Sequence, residues 1–97
     1  MNNIEEVKRI LHGHKKELNQ AYGVTEIGVF GSYVRDDHKE NSDLDILVDF
    51  YKAIDLLTFV HLKNYLSDLL KMNVDLVMKK ALKPKIGQRI LKNVVYI

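Results

Sequence analysis

The stretch of residues 29–50 constrains the fold more than any other part of this chain. A Gly-Ser pair at 31–32 ends one apolar run, and an Asp-Leu-Asp triplet at 43–45 opens the next. The second run is rich in branched residues, so we predict a strand at 44–50. Residues i and i+2 of a strand share a face, so the two carboxylates of the triplet should point to the same side.

Two carboxylates on one face repel each other unless a cation lies between them. Mg²⁺ suits such a pair, because it takes carboxylate oxygens and completes its coordination with water and substrate phosphates. Gly31 lets a ligand approach the backbone closely, and Ser32 is a good N-cap for a helix, whose first N–H groups suit a phosphate. The residues therefore predict a site that holds a metal ion and a phosphate group side by side.

The order of these groups sets the direction of the two strands. The Gly-Ser pair follows an apolar run at 24–30, whereas the acids stand at the start of the strand at 44–50. The two groups can meet only if these strands are antiparallel and joined by the loop at 31–42, which begins with a short helix at 33–37. An open parallel sheet is disfavoured, because its functional acids follow the carboxyl ends of strands. We expect His38, within the loop, to be solvated.

The spacing of apolar residues predicts two long helices. The first covers residues 3–22, is capped by Asn2 or Asn3, and is stopped by Gly23. The second covers residues 55–71 and should pack across the sheet. The apolar residues expected on its buried side are Leu56, Leu57, Phe59, Val60, Leu66, Leu69 and Leu70.

A third strand is predicted at 73–78, after the second helix. A helical crossover implies that this strand runs parallel to the strand at 44–50. We therefore predict an α+β (α/β-like) protein with a three-stranded mixed sheet, strand 2 central, and the element order αβ(α)βαβα. Parallel strands start at the same edge of a sheet, which places Asp75 beside Asp43 and Asp45.

Charge is distributed unevenly along the chain. The first 75 residues carry nine Lys/Arg and thirteen Asp/Glu, whereas residues 76–97 carry six Lys/Arg and no acid. These cations lie in a basic segment at 79–92, on a helix expected after Pro84, where they could contact a triphosphate, a nucleic acid, an acidic partner or only solvent. We also predict one cytoplasmic domain at 1–97. This prediction depends on the length of the chain, the absence of cysteine, the absence of any membrane-length apolar run, and a charged N-terminus.

The sequence GSYVRDDHKENSDLDILV at 31–48 resembles the signature of the DNA polymerase beta-like nucleotidyltransferase superfamily, and most closely its minimal nucleotidyltransferase (MNT) group. That signature is approximately G-S-x-A-R-G, a variable loop, and S-D-x-D-x-x-V. Val34 stands where a small residue is usual, and Asp36 stands where glycine is usual. The matching residues are Gly31, Ser32, Arg35, Ser42, Asp43, Asp45 and Val48.

This resemblance implies a nucleotidyltransferase fold and the Mg²⁺-dependent transfer of AMP from ATP to a hydroxyl group, with two Mg²⁺ or Mn²⁺ ions. MNT proteins are commonly antitoxins of HEPN-domain RNase toxins, which implies a HEPN partner and a tyrosine of that partner as the acceptor. The implied catalytic and metal-binding residues are Asp43, Asp45 and Asp75. The implied nucleotide-binding residues are Gly31, Ser32, Arg35 and Ser42.

Two other functions stay open at this point. A non-catalytic antitoxin would neutralise its partner by binding alone, although intact acids argue against it. A nucleic-acid-binding module would use the basic segment, but aromatic stacking residues are not grouped with its lysines. Arg35 is equally consistent with offsetting developing negative charge and with pairing to Asp36 or Asp43. The sequence also leaves open whether the chain forms a homo-oligomer.

Overall fold

Residues 3–97, the part of the chain that the computed structural model describes, fold into a mixed sheet flanked by helices. Within these residues no helix is both long enough and apolar enough to span a bilayer. The elements are α1 (Ile4–Gly13), α2 (Lys15–Tyr22), β1 (Val24–Phe30), α3 (Ser32–Arg35), β2 (Leu44–Phe50), α4 (Leu56–Leu70), β3 (Val74–Met78), a 3₁₀ turn (Lys79–Ala81), α5 (Pro84–Asn93) and β4 (Val95–Tyr96).

The sheet has the strand order β3-β2-β1-β4. Strand β2 runs antiparallel to β1 and parallel to β3, so the predicted α+β class and strand directions are confirmed. The predicted count of three strands is wrong, because β4 adds a fourth strand antiparallel to β1. Two residues are too few to show a strand pattern in the sequence. Strand β4 forms where Gly28 has no side chain, since a Cβ there would lie 2.7 Å from Val94 Cγ2.

The first helical region is divided in two, so the prediction of a single helix over 3–22 is wrong. Helix α1 ends at Gly13, and His14, with φ −111° and ψ 6°, separates it from α2. Glycine destabilises a helix interior, and the apolar pattern conceals this break because it continues on both sides. The inward-facing Val7, Leu11 and Leu18 are all buried.

The start of α1 and the end of α2 are capped by residues that were predicted as caps. Asn3 begins α1, and its side-chain Oδ1 accepts a hydrogen bond from the Glu6 N–H at 2.9 Å. Asn2, the alternative cap, lies outside the described residues. Gly23 ends α2 in the left-handed conformation, with φ 76°, and its N–H bonds the Asn19 carbonyl. The start of α1 and the end of α2 are therefore set by capping residues that can be recognised in the sequence.

Helix α4 buries a narrower stripe than predicted. Its core residues are Leu62, Leu66 and Leu70, at i, i+4 and i+8. Leu57 is 82% exposed and Val60 is 41% exposed, because both lie on the side of the helix away from that stripe. Of the other residues predicted to be buried, Leu56 is exposed, and Phe59 and Leu69 are half-buried.

The loop between α3 and β2 is held against the core by an aromatic stack. The rings of Tyr33 and His38 are nearly parallel, at 8°, with centroids 3.9 Å apart. Tyr33 is buried and His38 is half-buried, so the expectation that His38 is solvated is wrong. The Nδ1 atom of His38 is buried and has no hydrogen-bond partner within the described part of the chain.

We expect His38→Ala to lower the free energy of unfolding by about 1 kcal/mol, because it removes the stack. His38→Phe should match or exceed the wild-type stability, since it keeps the stack and removes a buried, unpaired nitrogen. Urea unfolding followed by circular dichroism would measure both changes. Equal stability of the two variants would show that the stack does not hold this loop.

Candidate active site

The predicted site residues meet at one edge of the sheet. In the parallel register of β2 and β3, Asp45 stands opposite Asp75, as the sequence predicted. In the antiparallel register of β1 and β2, Phe30 pairs with Asp45, so Gly31 begins the turn beside that carboxylate. Together they form a cleft of about 470 Å³. Its lining residues are Phe30, Gly31, Ser32, Arg35, Ser42, Asp43, Asp45, Asp75, Arg89, Ile90 and Asn93.

The cleft concentrates negative charge around Asp45. Burial, followed by the charges of Asp75 and Asp43 and a hydrogen bond with Asp75, raises the pKa of Asp45 to about 6. The positive charge of Arg35 lowers the pKa of Asp45, but this contribution is the smallest. An ionised Asp45 is therefore unfavourable in this cleft unless positive charge is added.

The carboxylates share the cleft without forming a closed ligand set. Asp43 accepts a hydrogen bond from the Asn73 side-chain amide at 3.3 Å, and both Asp43 and Asp75 are exposed. Within residues 3–97, no set of three acidic or histidine side chains is already arranged as a complete metal site. The fold provides three carboxylates that line one cleft, with Asp43 directly before β2, Asp45 within β2 and Asp75 within the adjacent β3.

Gly31 makes the closest backbone approach to the acids. It has φ 79° and ψ −148°, a conformation that is essentially restricted to glycine. A Cβ at this position would lie 2.1 Å from Asp45 Oδ2. Helix α3 begins after Gly31, so Ser32 is its first helical residue rather than the predicted N-cap.

Arg35 and Ser42 line the cleft but also order the loop between them. The Arg35 Nε lies 3.2 Å from Asp37 Oδ2, so of the two roles left open for Arg35, pairing within the loop occurs, but with Asp37 rather than with Asp36 or Asp43. Ser42 Oγ accepts a hydrogen bond from the Lys39 N–H at 2.8 Å. Asp36 has φ 61°, which explains why glycine is usual at this position of the MNT pattern.

Helix α5 brings residues to the cleft that the sequence did not assign to it. Arg89 was predicted only as a member of the basic segment, and Ile90 and Asn93 were not predicted at all. Their positions depend on how α5 packs after the 3₁₀ turn, a tertiary arrangement that has no local pattern. The only indication in the sequence that α5 could contact a ligand was the group of cations after Pro84.

Comparison with known proteins connects this geometry to a protein family. Residues 11–97 match the model of the family described as nucleotidyltransferase domain. Protein adenylyltransferase MntA of Thermococcus cleftensis is 55% identical over 94 residues, which cover 97% of this chain and 95% of that protein. The sequence similarity therefore extends over almost the entire length of both proteins.

Solved structures show the same architecture. A structure assigned to the minimal nucleotidyltransferases is 32% identical, with a TM-score of 0.80, and covers 97% of this chain and 95% of that chain. A structure of tri-AMPylated Shewanella oneidensis HEPN toxin in complex with MNT antitoxin matches at 21% identity and a TM-score of 0.66. The match covers 92% of this chain and 70% of that one, and it shows a shared fold.

Proposed function

This chain belongs to the nucleotidyltransferase domain family, and from that premise we propose that it transfers AMP from ATP to a hydroxyl group of another protein. The MNT resemblance of residues 31–48, the enzyme class and the α+β fold predicted from the whole chain are confirmed. The observation that carries the proposal is the cleft in which Asp43, Asp45 and Asp75 lie beside Gly31. The name of the Thermococcus relative, protein adenylyltransferase, supports a protein as the acceptor.

The proposed acceptor is a tyrosine of a HEPN-domain toxin, which this chain would neutralise as the antitoxin. The support for a HEPN partner is the shared fold with a complex of MNT antitoxin and a HEPN toxin that carries three AMP groups. The tyrosine follows from the resemblance of the signature to MNT proteins. A cytoplasmic location, where ATP is available, is part of the same proposal.

The carboxylates fit a divalent cation. Asp45 has a raised pKa because burial and two neighbouring acids disfavour its ionised form, and a cation would relieve that cost. Asp43, Asp45 and Asp75 would hold the ions, two Mg²⁺ or Mn²⁺, as oxygen ligands of the kind these metals prefer. When bound, such ions offset the charge of a triphosphate and lower the pKa of an attacking hydroxyl.

The remaining cleft residues would position the triphosphate. Gly31 has no side chain to keep a phosphate away from the backbone. The N–H groups of Ser32 and Tyr33 come before the first hydrogen bonds of α3, which Val34 and Arg35 donate to the Gly31 carbonyl. Arg35 and Arg89 would add positive charge to a cleft dominated by acids, and Ser42 would hold the loop that carries Asp43. The acceptor oxygen would then bond to the α-phosphorus, as the bond to pyrophosphate breaks and the acceptor loses its proton.

The test uses ATP labelled at the α-phosphate, Mg²⁺ and the product of the neighbouring gene. We expect the wild-type protein to transfer label to that product and the Asp43→Asn/Asp45→Asn variant to transfer none, because both acids belong to the proposed catalytic set. Mass spectrometry of the labelled product should place AMP on a tyrosine. Both versions should form a stable complex with the product in size-exclusion chromatography.

Each contrary result would favour a different function. A stable complex without label from either version would reject catalysis and leave an antitoxin that acts by binding alone. Equal labelling by both versions would show that these acids are not the catalytic ones. Tight binding of RNA by both versions, with neither a complex nor label, would favour a nucleic-acid-binding module.

A further inference from the structure

Helix α5 carries an unpaired basic face that continues beyond the active-site cleft. Lys85, Arg89 and Lys92 recur at i, i+4 and i+7, so they share one side of the helix. With Ile86 and Gln88 they line a groove of about 450 Å³. Arg89 lines both this groove and the cleft, so the groove adjoins the cleft that contains the acids.

The charges of this groove are not neutralised within the molecule. In residues 3–97, Lys85, Arg89 and Lys92 form no ion pair with a carboxylate, whereas Lys79 in the same region contacts Glu26 at 2.7 Å. Like charges three and four residues apart destabilise a helix by about 0.2–0.5 kcal/mol per pair. The helix therefore tolerates a small internal repulsion between three cations that line the groove, of which Arg89 also lines the cleft.

We propose that this groove binds an acidic segment of the protein that carries the acceptor hydroxyl. The proposal rests on the proposed function, since it names the recognition element for that reaction's second substrate. Carboxylates complement the three cations, and Ile86, which is 59% exposed, offers an apolar contact for a neighbouring side chain. A segment lying in the groove would deliver the acceptor residue to the acids at the end where Arg89 stands.

A protein segment fits this groove better than a nucleic acid does. Single-stranded nucleic acids bind through aromatic side chains on which bases stack, and α5 contains no aromatic residue. Among the described residues that follow α5, the aromatic ring is that of Tyr96, and it already lies against the Lys79 ammonium, 5.4 Å away. The exposed side chains of α5 are instead cationic, amide and aliphatic, which suits carboxylates beside apolar groups.

The test measures peptide binding, so it does not depend on catalysis. Two fluorescent peptides share a central tyrosine, flanked by glutamates in one and by glutamines in the other. Fluorescence anisotropy at low salt would compare the wild type, Lys85→Glu/Lys92→Glu and the control Lys16→Glu/Lys63→Glu. The control changes net charge equally, but its lysines are exposed on α2 and α4 and line neither the cleft nor the groove.

We expect the wild type to bind the glutamate peptide about tenfold more tightly than the glutamine peptide, a preference that weakens as salt is added. The α5 variant should lose that preference, and the control should keep it within about twofold, with all three proteins melting cooperatively. Equal binding of both peptides by the wild type, or an equal loss in both variants, would overturn the proposal. Binding of a single-stranded RNA in preference to the glutamate peptide would overturn it in favour of a nucleic acid.

Labelling in the same mixtures separates this proposal from the proposed function. Label on both peptides without a glutamate preference would retain the transferase and reject the docking groove. A glutamate preference that depends on Lys85 and Lys92, without label on any acceptor, would retain the groove and reject the reaction.

Discussion

Asp45→Asn is expected to reduce nucleotidyl transfer strongly while making the metal-free protein more stable. Burial and the charges of Asp75 and Asp43 raise the pKa of Asp45 to about 6, so its ionised form is unfavourable when no cation is bound. An amide of the same shape removes that repulsion. After discounting for solvent screening, the gain is about 1 kcal/mol, or a rise in Tm of roughly 4–8 °C. Transfer should fall by on the order of 100-fold or more.

The stability difference should depend on pH in a defined direction. The pKa of Asp45 is higher in the folded than in the unfolded protein, so folding favours its protonated form. That contribution is complete below the unfolded value of about 3.9 and is lost as the pH rises through about 6. In EDTA, the advantage of Asp45→Asn over the wild type should therefore grow between pH 4 and pH 7. Differential scanning calorimetry at a series of pH values would measure it.

Asp49→Asn provides the matched control for this prediction. Asp49 lies on β2, four residues from Asp45 and on the same face of the strand, but it does not line the cleft. Its substitution should leave transfer within about twofold of the wild type. A metal-free Asp45→Asn protein that melts below the wild type at pH 7 would show that Asp45 is not under repulsion.

The positions of the acids could be predicted because they depend on local rules. Alternation along β2 sets the shared face of Asp43 and Asp45, and the helical crossover sets the parallel register that brings Asp75 beside them. The Gly-Ser turn joins this group for the same reason, since an antiparallel neighbour ends where β2 begins. These rules need only the pattern and order of the elements along the chain, both of which the sequence displays.

The features that escaped prediction depend on contacts between distant segments. Strand β4 exists because Val95 and Tyr96 find an open position along β1, and Arg89 reaches the cleft because of how α5 packs. The apolar surface of α4 was overestimated for a related reason. Leu57 and Val60 fit an apolar pattern, but only the tertiary structure decides which side of the helix meets the sheet.

Gly31→Ala should reduce transfer by about 100-fold or more, because the added methyl group and the Asp45 carboxylate compete for the same space. A Cβ on Gly31 would lie 2.1 Å from Asp45 Oδ2, so the carboxylate must rotate away from the position that the reaction requires. The backbone at φ 79° and ψ −148° adds strain of about 1–3 kcal/mol for any other residue. Transfer assays and urea unfolding would measure the two effects.

Gly13→Ala is the matched control, because it adds the same methyl group at a glycine outside the cleft. Gly13 lies at the end of α1, has no atom within 4 Å of an added Cβ and does not have a positive φ. Alanine there should raise the free energy of unfolding by about 0.5–1 kcal/mol and leave transfer unchanged. If the Gly31→Ala variant transfers AMP at the wild-type rate, Gly31 is not needed to keep the Asp45 carboxylate in place.

A double-mutant cycle separates the two causes of the expected Gly31→Ala defect. Asp45→Ala removes the carboxylate that the new methyl group would strike, but it leaves the unfavourable backbone conformation of residue 31 unchanged. Gly31→Ala should therefore be less destabilising in the Asp45→Ala background than in the wild type, by an interaction energy of about 0.5–3 kcal/mol. If the cost is equal in both backgrounds, backbone strain alone accounts for the glycine. A smaller cost in the Asp45→Ala background shows that Gly31 is required because its backbone and the Asp45 carboxylate share one narrow space.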